Sequence, residues 1–293
     1  MLGLFMVDFQ LDEMQAMLKE LANEFARDEV RPHAEHWDET AHYPKETIQA
    51  AHEMGLLNLH IPEAYGGAGL GSFEEVLVNE ELAWGDPGFA TAAYATALAS
   101  APIITGATEE QKERWLRKIA EEGALASYAV TEPGAGSDVA ACKTTAIRDG
   151  DEYVINGEKY YISGAGDPRC KIMIVMCQTS PDGPPHRKQS QILVPIDTPG
   201  VKILGPMHVF GQDDAPHGHM HIRFDDVRVP ASNMLLGEGR GFEISQLRLG
   251  PGRIHHCMRS IGAAEKALDL MVRRGATREG FGKPLVRLGG NME

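Results

Sequence analysis

The sequence predicts an α+β protein with an N-terminal helical domain, a middle antiparallel β-barrel-like domain and an incomplete C-terminal helical bundle. Three observations carry this. Apolar residues recur at three- and four-residue steps through the first 122 residues. Short β-favouring runs separated by turn signals then follow to about residue 229. Helical periodicity returns after Gly241. The expected domains are therefore 1–122, 123–237 and 238–293.

In the first segment Leu11, Met14, Leu18, Leu21, Ala22 and Phe25 line one helix face, with Pro32 near its end. A second helix fits 45–54, opened by Pro44 and closed by Gly55. The run PEAYGGAG at 62–69 is too glycine-rich for a regular element. Helices fit 73–84, 89–104 and 108–121, the last opened by a capping box of Thr108 and Gln111. Strands fit 127–131, 143–148, 152–155, 171–177, 191–195, 201–204 and 219–224. Asp149-Gly150 and Asn156-Gly157 read as tight turns, and 180–190 as a polar loop. After Gly241 two helices fit, 242–249 and 254–274, with a break at Pro251-Gly252. Ile261, Ala264, Leu268 and Met271 make an apolar face that must bury on something, either the N-terminal helices or partners beyond the chain.

The composition is that of a globular chain: 293 residues, 43% apolar and 24% charged. A formal charge of -14 repels nucleic-acid phosphate, so no nucleic-acid partner is expected, while local basic groups leave an anionic ligand such as CoA open. No uninterrupted apolar run suggests a membrane span. Residues 1–9 are apolar but short and lack a basic lead, unlike a signal peptide. Cys142, Cys170, Cys177 and Cys257 stand far apart without a CxxC pair, which fits reduced thiols and a cytoplasmic location rather than a zinc site.

The run YAVTEPGAGSD at 128–138 holds the strongest chemical signal. A strand enters, Pro133 stops it, and Gly134 and Gly136 permit a tight turn with exposed amides. Such a strand end can hold a planar or anionic ligand, or be only a glycine-rich turn. It is not a GxGxxG opening a helix, so a Rossmann site is disfavoured. His255 and His256 are adjacent on a helix and point about 100° apart, which argues against a metal site. His217 and His219 fit exposed polar residues of a turn or edge strand.

That undecapeptide resembles the flavin- and acyl-contacting signature of the acyl-CoA dehydrogenases. INGEKYYIS at 155–163, FDDVRVP at 224–230, LGEGRGF at 236–242 and REGFGKPL at 278–285 resemble further patterns of that family, in the family's order, and 62–69 resembles its N-terminal loop. GAGDPRCK at 164–171 and RLGPGRIHHC at 248–257 look like the branch of family members 10 and 11.

The resemblance implies FAD as cofactor. It places Tyr128, Val130 and Thr131 along the isoalloxazine ring, Tyr161 beside it, and the Ser163 hydroxyl near N5. A donor there suits the atom that gains electron density. Arg278 would reach the FAD pyrophosphate of a neighbouring subunit with Phe281 packed near it, and Ser137 and Arg253 would lie near CoA. Residues 94–98 match acyl-pocket positions, or are simple helix packing. The implied reaction is α,β-dehydrogenation of an acyl-CoA to the trans-2-enoyl-CoA, with electrons passed to an electron-transfer flavoprotein by a homo-oligomer. Same-fold oxidases or flavin monooxygenases, and a non-catalytic CoA- or partner-binding remnant, are the alternatives. The family's catalytic carboxylate lies further along the C-terminal domain, or on the position matched here by Gly252. No catalytic base is therefore named; the chain is expected to be a C-terminally truncated fragment, inactive if that region is needed.

Overall fold

The computed structural model describes residues 10–184 and 186–291, so the apolar start at 1–9 lies outside the described residues. Seven helices come first: α1 Glu13–Phe25, α2 Ala34–Thr40, α3 Lys45–Glu53, α4 Ser72–Gly85, α5 Pro87–Ala93, α6 Ala97–Gly106 and α7 Glu109–Glu122. The seven-stranded sheet is β1 Leu125–Ala129, β2 Thr145–Asp149, β3 Glu152–Ser163, β4 Cys170–Gln178, β5 Gln189–Pro195, β6 Val201–Pro206 and β7 His219–Pro230. A long helix, α8 Gly241–Thr277, and a short hairpin, β8 Glu279–Gly280 with β9 Lys283–Pro284, follow, and two 3-10 turns, Leu285–Arg287 and Gly289–Asn291, close the described chain.

Local chemistry explains most starts. Thr108 Oγ1 accepts from the Gln111 amide at 3.3 Å while Gln111 Oε1 accepts from the Thr108 amide, the reciprocal box expected for α7. Asp12 and Gln15 make a second such box on α1. The expected helix over 89–104 is two helices, because the chain bends at 94–96 where Tyr94 enters the core and its hydroxyl donates to the Leu56 carbonyl. Pro87–Gly106 spans 20 residues with a mean hydropathy of 1.2, long and apolar enough to cross a membrane by composition; it is this bent pair, half buried inside the protein.

The sheet corrects two expectations. Asn156-Gly157 is not a turn: β3 runs straight through it to Ser163 with a register shift against β7. Gly157 has φ +149°, and a Cβ there would stand 2.5 Å from Thr144 Oγ1, so this glycine serves close approach rather than reversal. Asp149-Gly150 does turn, joining β2 to β3 in antiparallel register. Nor is the sheet wholly antiparallel, since β4 pairs in parallel with β1 and β2. Parallel pairing needs a long crossover, and the 40 residues from 130 to 169 between β1 and β4 supply it.

Inside this sheet Lys159 is fully buried. Its ammonium donates to Glu132 Oε1 at 2.7 Å and to the Val130 carbonyl at 3.0 Å. The Glu132 carboxylate also accepts from the amides of Lys143 and Thr144. Burial alone would raise this carboxyl; the Lys159 charge and the bonds from Lys143 and Thr144 outweigh it and hold it below the usual carboxylate range.

Helix α8 also departs from expectation. Pro251 does not break it, although a proline inside a helix costs about 3 kcal/mol. Packing along α4 offsets that. Gly262 lies against α4 so closely that a Cβ would stand 2.2 Å from the Glu80 carbonyl. Lys266 Nζ donates to the Gly85 carbonyl at 2.6 Å, and Arg31 pairs with Asp269 at 3.2 Å. The helix thus docks on the N-terminal helices through a small and polar face. Ile261, Ala264, Leu268 and Met271, expected to be its buried face, are exposed.

Gly262→Ala should gain about 1 kcal/mol of helix propensity but lose more to overpacking, a net loss of about 1–2 kcal/mol in urea denaturation. Gly252→Ala on the same helix, whose Cβ would meet nothing closer than 3.9 Å, should not destabilise. Lys159→Met should cost about 3–5 kcal/mol by leaving a buried carboxylate without its cation. Because the folded-state pKa of Glu132 is depressed, its stabilisation is full above the ordinary carboxylate range and is lost as pH falls through the folded value. That acid-side loss should shrink in Glu132→Gln.

Candidate functional site

The end of β1, the bulged end of β3, the loop 212–218, helices α5 and α6 and the first half of α8 enclose a cavity of about 960 Å³. Tyr128, Val130, Thr131, Tyr161 and Ser163 all line it. The sheet wall is built by bonds to backbone carbonyls. The Tyr160 amide donates to the Thr131 carbonyl at 2.8 Å, and Lys159 holds the Val130 carbonyl, so the end of β1 is fixed against β3.

Tyr161 sits in the second register shift of β3 with φ +56°, an uncommon conformation that costs of order 1 kcal/mol or more. Its ring is half exposed at the cavity while Tyr160 lies edge-on to His221 at 4.3 Å, so neither tyrosine of the pair is a plain core residue. Tyr128 is held from above by α8. Its hydroxyl accepts from Gln191 Nε2 at 2.7 Å and bonds Ser245 Oγ at 2.9 Å. The Arg248 guanidinium lies 4.4 Å over its ring. Burial pushes this phenol up and the Arg248 guanidinium down.

Ser163 Oγ lies 2.8 Å from His219 Nδ1, and His219 Nε2 lies 3.1 Å from Asp214 Oδ2. The Ser163 carbonyl accepts from Ser127 Oγ at 2.9 Å. His217 departs from the exposed role expected of it. It is buried, stacked on Tyr43 at 5.8 Å, and burial lowers its pKa to about 4.

Behind the α8 wall stands a second polar cluster. Glu75 on α4 is buried between His60 Nδ1 at 2.5 Å and His255 Nε2 at 3.2 Å, the latter off the hydrogen-bond axis. His60 Nε2 meets Ser100 Oγ at 2.6 Å. Burial would raise the Glu75 carboxyl, but the adjacent His255 and His60 hold it at about 2. His255 and His256 both reach the cavity wall despite pointing apart along the helix.

Four expected site residues are not brought to this cavity. Ser137 is exposed on the turn after Ala135, and Arg253 is exposed on α8 although its neighbour Gly252 lines the wall. Arg278 and Phe281 are exposed at the β8–β9 hairpin, Phe281 almost fully, beyond the end of α8. Conversely, Asp214, His219, Arg248 and His255 were not singled out as site residues. The alternating histidines of 217–221 were a visible sign of the first pair; nothing in the sequence marks Glu75 as the partner of His255.

The cavity suits a flat, partly polar cofactor. A Cβ at Gly134 or Gly136 would meet nothing within 4 Å, so the signature turn leaves open space. Arg248 Nε and His217 Nδ1, both on residues of the wall, are buried without a partner among the described residues. Such groups are costly unless something bonds them.

Comparison with known proteins agrees. The N-terminal, middle and C-terminal domain descriptions of acyl-CoA dehydrogenase match residues 12–123, 127–227 and 239–289. The chain is 45% identical over 254 residues to acyl-CoA dehydrogenase family member 10 of Mus musculus, covering 82% of this chain and 23% of that one. Butyryl-CoA dehydrogenase from Megasphaera elsdenii superposes with a TM-score of 0.88 at 32% identity, covering 98% of this chain and 75% of that one. A solved chain described under the electron transferring flavoprotein of Acidaminococcus fermentans also superposes at 0.88, at 31% identity, over 98% of this chain and 74% of that one. The chain spans less than half the length of the first curated relatives it matches. It belongs to the acyl-CoA dehydrogenase family, a family of FAD-dependent oxidoreductases acting on CH–CH bonds.

Proposed function

We propose that this chain takes part in FAD-dependent α,β-dehydrogenation of an acyl-CoA thioester to the trans-2-enoyl-CoA. The observation that carries the reading is the single cavity lined by Tyr128, Val130, Thr131, Tyr161 and Ser163, the five residues the family signature assigns to the isoalloxazine ring. Bound FAD supplies the acceptor for the β-hydride. The chain's own part is placement. Val130 and Thr131 hold the ring's edge on a strand end made rigid by Lys159. With FAD bound, Tyr161 would cover one side of the ring and Ser163 would offer a hydroxyl at N5. The inner cavity between α5, α6 and α8 would take the acyl chain.

Ser137 and Arg253 are assigned to CoA outside the cavity. Arg278 and Phe281, exposed on their hairpin, are assigned to the FAD of a neighbouring subunit in a homo-oligomer. An electron-transfer flavoprotein is the proposed electron acceptor, and 1–122, 123–237 and 238–293 the working domains. Removal of the α-proton needs a base. The carboxylates on the cavity wall are Asp38, Asp86 and Asp214. Asp86 caps α5 and Asp214 pairs with His219, so neither is assigned as that base.

The test is an anaerobic visible spectrum of the chain with FAD, before and after addition of acyl-CoAs. Retained flavin is expected; loss of all flavin on gel filtration would overturn the reading. Gly252 lines the cavity with room for a side chain, so Gly252→Glu should place a carboxylate at the wall. It should accelerate bleaching of bound flavin by about 100-fold over the unmodified chain, the ordinary contribution of a positioned general base.

A further inference from the structure

Ser163, His219 and Asp214 form a chain of three polar groups on the cavity wall. Its geometry constrains where protons sit. Asp214 Oδ2 lies 3.1 Å from His219 Nε2, off the hydrogen-bond axis, and its negative charge favours a proton on that nitrogen over a bare lone pair facing a carboxylate. The other ring nitrogen, Nδ1, is 2.8 Å from Ser163 Oγ. When His219 is neutral, Nδ1 is bare and accepts the Ser163 hydroxyl proton, so the serine oxygen offers only lone pairs to the cavity. When His219 is an imidazolium, Nδ1–H donates to Ser163 Oγ, and the serine proton is free to donate into the cavity. One proton on His219 therefore reverses the sense of the Ser163 hydrogen bond.

We infer that His219, anchored by Asp214, is a positioning residue that switches Ser163 between donor and acceptor toward the bound cofactor. This rests on the flavin reading above. A flavin N5 accepts a hydrogen bond when oxidised and carries a hydrogen when reduced, so a fixed donor suits only one state. The switch suits both. With FAD bound and reduced, the ring would gain the hydride's two electrons and one hydrogen, while His219 Nδ1 would release one proton to solvent and Ser163 would turn its own proton back to that nitrogen. The His219 side chain is about one-third exposed, which gives the proton an exit.

The groups facing His219 are few. Ser163 faces it from β3 and Asp214 from its own loop. His217, on the same loop, senses its charge, as well as those of Asp214, Asp167 and Arg169. His217 stacks on Tyr43, which Arg169 also bonds. Farther along β7, His221 is taken up by Glu158. Asp214 is the anion in direct contact, so it is the group that favours the Nε2–H tautomer.

The test is the pH dependence of the midpoint potential of FAD bound to the full chain, followed across about pH 5–8. The unmodified chain should take up one proton fewer per two electrons, over part of that range, than His219→Gln. That difference changes the reduced-to-oxidised binding ratio tenfold per pH unit. Ser163→Ala, which cuts the link with little risk to folding, and Asp214→Asn should both follow His219→Gln. Flavin retained by all four proteins with superimposable pH profiles would overturn the switch while leaving the flavin site standing. An unmodified chain that retains no flavin would overturn both.

Discussion

The buried contact between Lys159 and Glu132 is the constraint on which the cavity depends. It joins three pieces of chain that are remote in sequence. Lys159 belongs to the middle of β3, Glu132 follows β1, and the amides that complete the carboxylate belong to Lys143 and Thr144 just before β2. A buried charge is expensive unless its partner and its remaining bonding positions are satisfied, and here both are. The same ammonium fixes the Val130 carbonyl, so the pair sets both the path of the signature loop and the height of the strand end that lines the cavity. A flexible surface loop with the same residues could not hold an aromatic ring in one plane.

The opposite wall depends on backbone proximity rather than charge. Gly262 lets α8 lie directly on α4, and that approach brings His255 within reach of Glu75 and Arg248 over Tyr128. Sheet wall and helix wall thus meet around Tyr128, which touches residues of β5 and α8. The polar cluster of His60, Glu75 and His255 lies behind the acyl end of the proposed site, while the Ser163, His219 and Asp214 chain lies at its flavin end.

Much of this was legible before any coordinates. Local rules gave the capping box of Thr108 and Gln111, the Asp149-Gly150 hairpin and the helix between Pro44 and Gly55, because each is decided by bonds within a few residues. The family signature gathered five residues that do line one cavity. The errors have a common cause. Asn156-Gly157 looks like a turn until Thr144 is known to press against it. Pro251 looks like a break until the packing of α8 on α4 is counted. His217 looks like a surface residue until Tyr43 stacks on it.

By itself, then, the sequence determined the α+β class, the order of helical and β segments and the family, since periodicity, capping and motif chemistry are local properties. Tertiary structure alone decided which face of α8 is buried, which polar groups become partners and which signature residues share a wall. Those depend on contacts between residues such as Lys159 with Glu132, Gly262 with Glu80, and Glu75 with His255, whose separations along the chain carry no periodic trace.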